Sequence, residues 1–457
     1  MNLCRNKRLP SDARGAALLA ALCFTLVLAI ALGSYITACY RSLQMSSRNV
    51  SAGHSVELAE TGMEEALWAL HNNDWTGWSP PSSGTVTKTL SGFTYDNNIT
   101  GNATLTIANY NGVGGTRTIT ATGTTTSASD GTTQTRTLTA TSSQASLFVN
   151  AIAGVGNSTT SYNGRVRFRT GGTVDSYNSS VNVDVLPTIG GQPAGFSAVV
   201  SSASDLTSSQ TSTGTVQMTN AKIKGYIATM PGSAGVNYST SATLYGPTSP
   251  VSPKIDTSRE STSPYQPIFD VITPSATIPL PTTSQNLGTA GATTPTYYYY
   301  SGDYTLNTQT LTVVGPVVIV ISGYLDNPGS GSIVVSNSGS NNGSIEIFLG
   351  GSMWLDGGGI VNNTKLPKNV AVIAQSGNSG VLEFSAAQNF YGVIYAPEAF
   401  LAFYTNATFY GSVIGQAVTV YTGYTPTFHY DISLRNVFFA GIDTPFAVAS
   451  MLETNSP

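Results

Sequence analysis

From Ala16 to Tyr40 the chain carries no charged side chain, and Arg14 and Arg41 stand at the two ends of this run. As a helix rising about 1.5 Å per residue, the run measures roughly 38 Å, enough to cross a bilayer core of about 30 Å. The apolar core of a cleaved signal peptide is shorter, about 7–15 residues, and no small-x-small cleavage site with a fresh polar start follows. The polar sequence beyond Tyr40 still reads as helix. These features predict an anchor attached to a large exported body.

Flanking charge sets the expected orientation. Arg5, Lys7, Arg8 and Arg14 precede the run against a single Asp12. Arg41 and Arg48 follow it, and the sequence then turns acidic at Glu57, Glu60, Glu64 and Glu65. The positive-inside bias places the short N-terminus in the cytoplasm and everything after Tyr40 outside, in the periplasm or at the cell surface.

Composition suits an exported β protein. Charged residues are 9% of the chain, far below the roughly 25% of an ordinary soluble domain. Aromatics hold at 9%, so this is not the profile of a disordered segment. Strands with Thr and Ser on one face and Val, Ile and Tyr on the other give such a composition. A net charge of -4 over 457 residues offers no basic field for nucleic acid. Cys4, Cys23 and Cys39 all lie in the leader or the apolar run, so no disulfide within the exported part is expected.

Between Tyr40 and Asn72 there is no proline, and Met63, Ala66, Leu67 and Leu70 recur at helical spacing while Glu60, Glu64 and Glu65 face elsewhere. This predicts one helix from Ala16 to about Asn72, apolar all round in its first half and one-sided in its second. Taken alone, the pattern also fits a plain signal-anchor with a juxtamembrane stalk.

The run Arg14-Gly15-Ala16-Ala17-Leu18-Leu19-Ala20-Ala21-Leu22 with Val27-Leu28-Ala29-Ile30-Ala31-Leu32-Gly33 resembles the N-terminus of PilX-like minor pilins. Val56 to Leu67, which reads VELAETGMEEAL, is similar to the later signature of the same helix. The resemblance spans about residues 10–72. It implies a prepilin peptidase cutting after Gly15, methylation of the new Ala16 terminus, and packing of Leu18, Leu22, Val27, Ile30 and Leu32 in the inner membrane or among other pilins or pseudopilins. Shaft pilins carry Glu five residues after the cut, where this chain has Ala20. In an apolar setting that Glu answers a neighbour's free amino group, and an unpaired charge there is costly. Its absence suits a subunit at the tip of a fibre, or one that never enters a fibre.

Beyond the helix the chain reads as strands. Residues 85–142 hold four alternating runs bounded by Gly, Asn and Asp, the last two joined as a hairpin through Ser127 to Gly131. They are expected to cover Met63, Ala66, Leu67 and Leu70. From about residue 145 short apolar triplets alternate with glycine. Asn389-Phe390-Tyr391-Gly392-Val393-Ile394 realigns 19 residues later on Thr408-Phe409-Tyr410-Gly411-Ser412-Val413, and the following triplets, Phe400 to Phe403 and Thr419 to Tyr421, keep the spacing. A period near 20 points to a right-handed β-solenoid, with a β-sandwich as the alternative. The stretch also resembles an uncharacterised, β-helix-like domain found behind PilX-like N-termini, through Thr173 to Ser180, the two Phe-Tyr-Gly runs and Phe428-His429-Tyr430-Asp431.

The sequence thus divides into a cytoplasmic leader (1–15), a membrane helix (16–40), its extension (41–72), a small pilin-like sheet domain (73–144), a first solenoid part (145–244), a Pro/Thr-rich insertion (245–296), a second solenoid part (297–435) and a C-terminal tail (436–457). The insertion holds nine prolines, too many for central strands.

Signals for catalysis are sparse. Glu383, Glu398 and Asp431 are the only carboxylates between 380 and 435, and His429 shares a strand face with Asp431. A corner or edge role fits that pair better than acid–base chemistry. Met353-Trp354-Leu355-Asp356-Gly357-Gly358-Gly359 lacks the Lys-Ser/Thr of a phosphate loop. With three histidines in all, a His-based metal centre is not expected. No catalytic, metal or cofactor residue is assigned. The expected function is a membrane-anchored surface protein at the tip of a type IV pilus or pseudopilus, using its head for adhesion to surface glycans or for assembly. The alternative is a tethered β-helix enzyme acting on carbohydrate, which a groove lined by carboxylates would favour.

Overall fold

The computed structural model describes residues 11–72, 74–79, 84–95, 98–109, 116–128, 131–144, 147–156, 164–180, 195–211, 213–247, 255–264, 268, 270–337, 343–439 and 446–455. Residues 1–10 of the leader, with Cys4, Arg5, Lys7 and Arg8, lie outside them, as do Pro80, Pro81, Ser129 and Asp130. The chain is mainly β with one long N-terminal helix, and it divides into two compact units: Met1–Ser143 with Phe446–Pro457, and Gln144–Pro445.

The helix runs from Ser11 to Asn72, five residues earlier than expected at its start and unbroken throughout, since no proline interrupts it. Its second half packs on an antiparallel sheet of Thr85–Tyr95, Ile99–Ala108, Arg117–Ser127 and Thr133–Gln144. Met63, Ala66 and Leu70 are buried there with Leu58 and Ala59 against Leu105, Ile107, Ile119 and Leu138, and Leu67 packs at the rim. The close approach requires glycine. A Cβ at Gly123 would run into the carbonyl of Ser55 on the helix. Polar contacts fix the seat: Ser51 Oγ lies 2.9 Å from Thr125 Oγ1, and Lys88 Nζ lies 2.6 Å from Glu65 Oε1. Glu65 therefore faces the sheet, unlike Glu60 and Glu64, which are exposed.

The expected C-terminal tail is instead a strand. Phe446–Asn455 joins the small sheet beside Thr133–Gln144, and Ser450 Oγ meets Thr141 Oγ1 at 2.6 Å. The large unit is thus inserted, in the chain, between two neighbouring strands of the small one.

In the large unit every pairing between described strands is parallel, and the strands stack in three ladders. The middle ladder runs in the order 278–279, 296–300, 316–321, 344–349, 370–374, 393–396, 413–415, 152–154, 198–202, 225–229 and 260–261. One inward column is in register through eight strands: Ile319, Ile347, Val372, Ile394, Val413, Ile152, Val200 and Ile227. The other face of the same ladder (Val318, Val320, Phe348, Ile373, Tyr395) is also buried, under Leu147, Phe148, Leu434, Phe439 and Val271. Burial on both faces is why these strands read as unbroken apolar runs such as Pro316–Ile321 and Val370–Ala374.

The stacking order is not the chain order. Thr427–Asp431, near the end of the unit, lies between residues 408–411 and Gly172–Tyr177. The remaining sides of that rung are 152–154 and 166–168, from the beginning of the unit, paired to 413–415 and 418–420. One composite rung therefore joins both ends of the unit. The early strands stack outward from it, and the late strands approach it from the far end. Between the two sets in the chain, Val271 and Ala276 pack on the outer side of the middle ladder. The proline-rich stretch is accordingly not a simple insertion. It supplies Glu260–Ser261, Ile278–Pro279 and Gln285–Leu287 at the ladder ends, where proline is tolerated.

The sequence repeat holds in its first half. Phe390, Tyr391 and Gly392 pair with Phe409, Tyr410 and Gly411, an offset of 19. Past a bulge between Ala396 and Phe400 the pairing becomes Phe400 with Ala417 and Phe403 with Val420, so the offset falls to 17 and the expected partners Thr419 to Tyr421 slip by two. Pro397, which has no N–H to donate, sits in the bulge.

Candidate binding face

The first ladder, which includes residues 390–392, 408–411, Thr427–Asp431, Gly172–Tyr177 and 221–223, carries on its outer face a column built at the composite rung. Tyr391, Tyr410, His429 and Asp175 are successive partners across adjacent strands, and all four are buried. Tyr391 stacks on Tyr410 at 4.2 Å between ring centroids, and His429 lies 4.8 Å from Tyr410. His429 Nδ1 meets Asp175 Oδ1, and Lys224 Nζ stands 3.9 Å from the other oxygen of Asp175. Burial and the neighbouring Asp431 push the Tyr177 hydroxyl well above its ordinary range. Burial, then Tyr391, does the same to Tyr410. Both phenols stay protonated.

Asp431 is occupied as well. It accepts from the backbone N–H of Ser179 and of Ser433, each at 3.1 Å, and caps the short 3-10 helix Ile432–Asn436. His429 and Asp431 do share a face, as their spacing predicts, but each is engaged with buried neighbours that join the two ends of the unit. Among the described residues no group of three His, Cys, Asp or Glu side chains is placed to hold a metal ion.

The outer face of the third ladder differs. Its strands include Leu325–Asn327, Met353–Leu355, Val381–Phe384 and residues 400–403. Met353 and Leu355 point into the core, so Trp354 points out, half-exposed. Its strand partners are Asp326 on one side and Glu383 on the other. Tyr324 packs edge-on against the indole at 5.3 Å, and Glu383 Oε1 accepts from Ser385 Oγ at 3.1 Å. Partial burial, and then the negative charge of Asp356, raises the Asp326 carboxyl above its ordinary value. Sequence reading passed over this site because Asp326, Trp354 and Glu383 lie 28 or 29 residues apart, and only the pairing register aligns them. Glu398 lies elsewhere and accepts from the N–H of Gly377 at 2.8 Å.

The other residues singled out from sequence divide cleanly. Leu18, Leu22, Val27, Ile30 and Leu32 are each more than half exposed on the first part of the helix Ser11–Asn72, ahead of the half that packs on the small sheet. This apolar segment, of mean hydropathy 2.6, is long enough to span a membrane and would also pass as a signal sequence. Gly15 and Ala16 lie within the same helix.

Comparison with known families places residues 276–437 in a match to a domain of unknown function (DUF7305). Searches of curated proteins and of solved structures each find no match. The matched segment begins where the late strands of the three ladders begin and ends just past the composite rung. The early strands, which complete that rung, lie outside it.

Proposed function

We propose that the chain is a minor-pilin-like, membrane-anchored surface protein whose large β unit is a solenoid head displayed for adhesion or assembly. One observation carries this reading. A single unbroken helix presents about 35 apolar-rich exposed residues and then, with no linker, seats its second half under a sheet. A cleavable signal would not need to continue into a packed core. The resemblance of Arg14 to Gly33 to PilX-like N-termini, and the parallel three-ladder stack, support the finer statements about pilin ancestry and solenoid form.

In this reading prepilin peptidase cuts after Gly15, the helix resides in the inner membrane or among other pilins, and Ala20 fits a tip position. The head is a binding body and not a catalyst. Carboxylates on the third ladder favour the second reading, an enzyme acting on carbohydrate, but their placement argues against it. Asp326 and Glu383 are two strand spacings apart, about 10 Å between backbones, and the Trp354 ring fills the space between them where a scissile bond would have to lie.

Processing gives the test. The mature chain should begin at Ala16, and Gly15→Val should leave the leader attached. Intact mass of membrane-extracted protein that still begins at Met1 contradicts the pilin part of the proposal and leaves a plain signal-anchor.

A further inference from the structure

We infer that Trp354, with Asp326 and Glu383 on the strands beside it, forms a subsite for a neutral polysaccharide. This rests on the display reading and names what the head would hold. Over its central strands the middle ladder's outer face is closed by apolar side chains, and the first ladder's column is buried. The third ladder's face keeps Asp326, Trp354 and Glu383 only half-buried, so a ligand can reach them.

The side chains there define the ligand chemistry. A half-exposed indole braced edge-on by Tyr324 is a rigid apolar plate, suited to the C–H face of a pyranose ring. Carboxylates on both sides of it accept hydrogen bonds from ring hydroxyls, and a charged acceptor makes such bonds stronger than neutral ones do. Adjacent strands are about 4.8 Å apart, close to the advance of one sugar ring along an extended chain, so neighbouring rings fall over neighbouring strands. Charge at this subsite disfavours the acidic polysaccharides. Asp356 joins Asp326 and Glu383, and like charges opposed across a contact are strongly disfavoured.

The test uses the detergent-solubilised full chain and three probes: cellohexaose, chitohexaose and hexagalacturonic acid. The chain has four tryptophans, and Trp68, Trp75 and Trp78 belong to the other unit. Subtracting the emission of Trp354→Phe therefore isolates Trp354. At least one neutral hexaose should shift that difference signal saturably, and the uronate should not. Trp354→Ala should weaken binding at least ten-fold, Asp326→Asn and Glu383→Gln several-fold, and Tyr299→Ala, on the middle ladder, should leave it unchanged. No change in the Trp354 signal with either neutral hexaose overturns the subsite, and so does tighter binding of the uronate or wild-type affinity in Trp354→Ala. Release of shorter sugars that Glu383→Gln abolishes also overturns it, in favour of catalysis. None of these results alters where the head is displayed, which is read separately from surface labelling of the cells.

Discussion

Phe409→Ala should destabilise the large unit by about 3–5 kcal/mol, the usual cost of emptying a buried Phe site. The side chain is 4% exposed and sits at the centre of an aromatic cluster. Its ring lies 5.8 Å from Phe390, 5.3 Å from Phe428, 4.8 Å from Phe403 and 5.6 Å from Phe384. Phe384 and Phe428 come from two further strands and Phe403 from the other end of Phe390's own strand, so truncation removes contacts along the stack and across it. Aromatic pairs add to the area term, and a neighbour that relaxes into the gap loses its own partner. At a few degrees per kcal/mol for a unit of this size, the melting midpoint should fall by on the order of 10 °C. Phe400→Ala, at a half-buried position beside the bulge, should cost much less. An unchanged midpoint for Phe409→Ala contradicts the register between residues 390–396 and 408–415.

The second large effect concerns the composite rung. A fragment limited to 276–437, the segment matched by the domain of unknown function, should fail to fold as a soluble monomer. Its last full strand would lose the pairing of residues 413–415 and 418–420 to 152–154 and 166–168, and Thr427–Asp431 would lose Gly172–Tyr177. The open end would expose Val413, Val418, Val420, Phe428 and Tyr430, now buried, along an unpaired strand edge, which is a template for aggregation. Asp431 would lose Ser179, and His429 would lose Asp175. Extending the fragment back to residue 144 should restore a soluble, cooperatively melting protein. A well-dispersed, monomeric 276–437 fragment contradicts the shared rung.

Much of this architecture was legible in the sequence, and the parts that were not share a cause. The helix, its apolar stripe at Met63, Ala66, Leu67 and Leu70, and the alternating strands of 85–142 are local patterns, so periodicity reveals them. The pairing of Phe390 with Phe409 was legible because the repeat there is contiguous. The slip to an offset of 17 was not, since a bulge at Pro397 adds residues without leaving a repeat. Nor was the return of Phe446–Asn455 to the small sheet, or the meeting of 427–431 with 152–177. Both join residues more than 250 positions apart, and no local period encodes that distance. The prolines of 245–296 were read as marking an extended insertion with no central strand, and what that reading missed is that the stretch still supplies the end strands Glu260–Ser261, Ile278–Pro279 and Gln285–Leu287. The Trp354 face was hidden for the same reason as the composite rung, because its three residues become neighbours only through parallel stacking.

The central claim, that a retained apolar helix holds the head outside the membrane, is tested most directly by labelling intact spheroplasts with a membrane-impermeant maleimide. Cys4, Cys23 and Cys39 are replaced by Ser, and the exposed Tyr299 is replaced by Cys as the reporter. The account predicts labelling at full extent without permeabilisation, on protein that stays in the carbonate-washed membrane fraction. Labelling that appears only after the membrane is opened contradicts export of the head, and a labelled head recovered free in the soluble fraction contradicts retention by the helix.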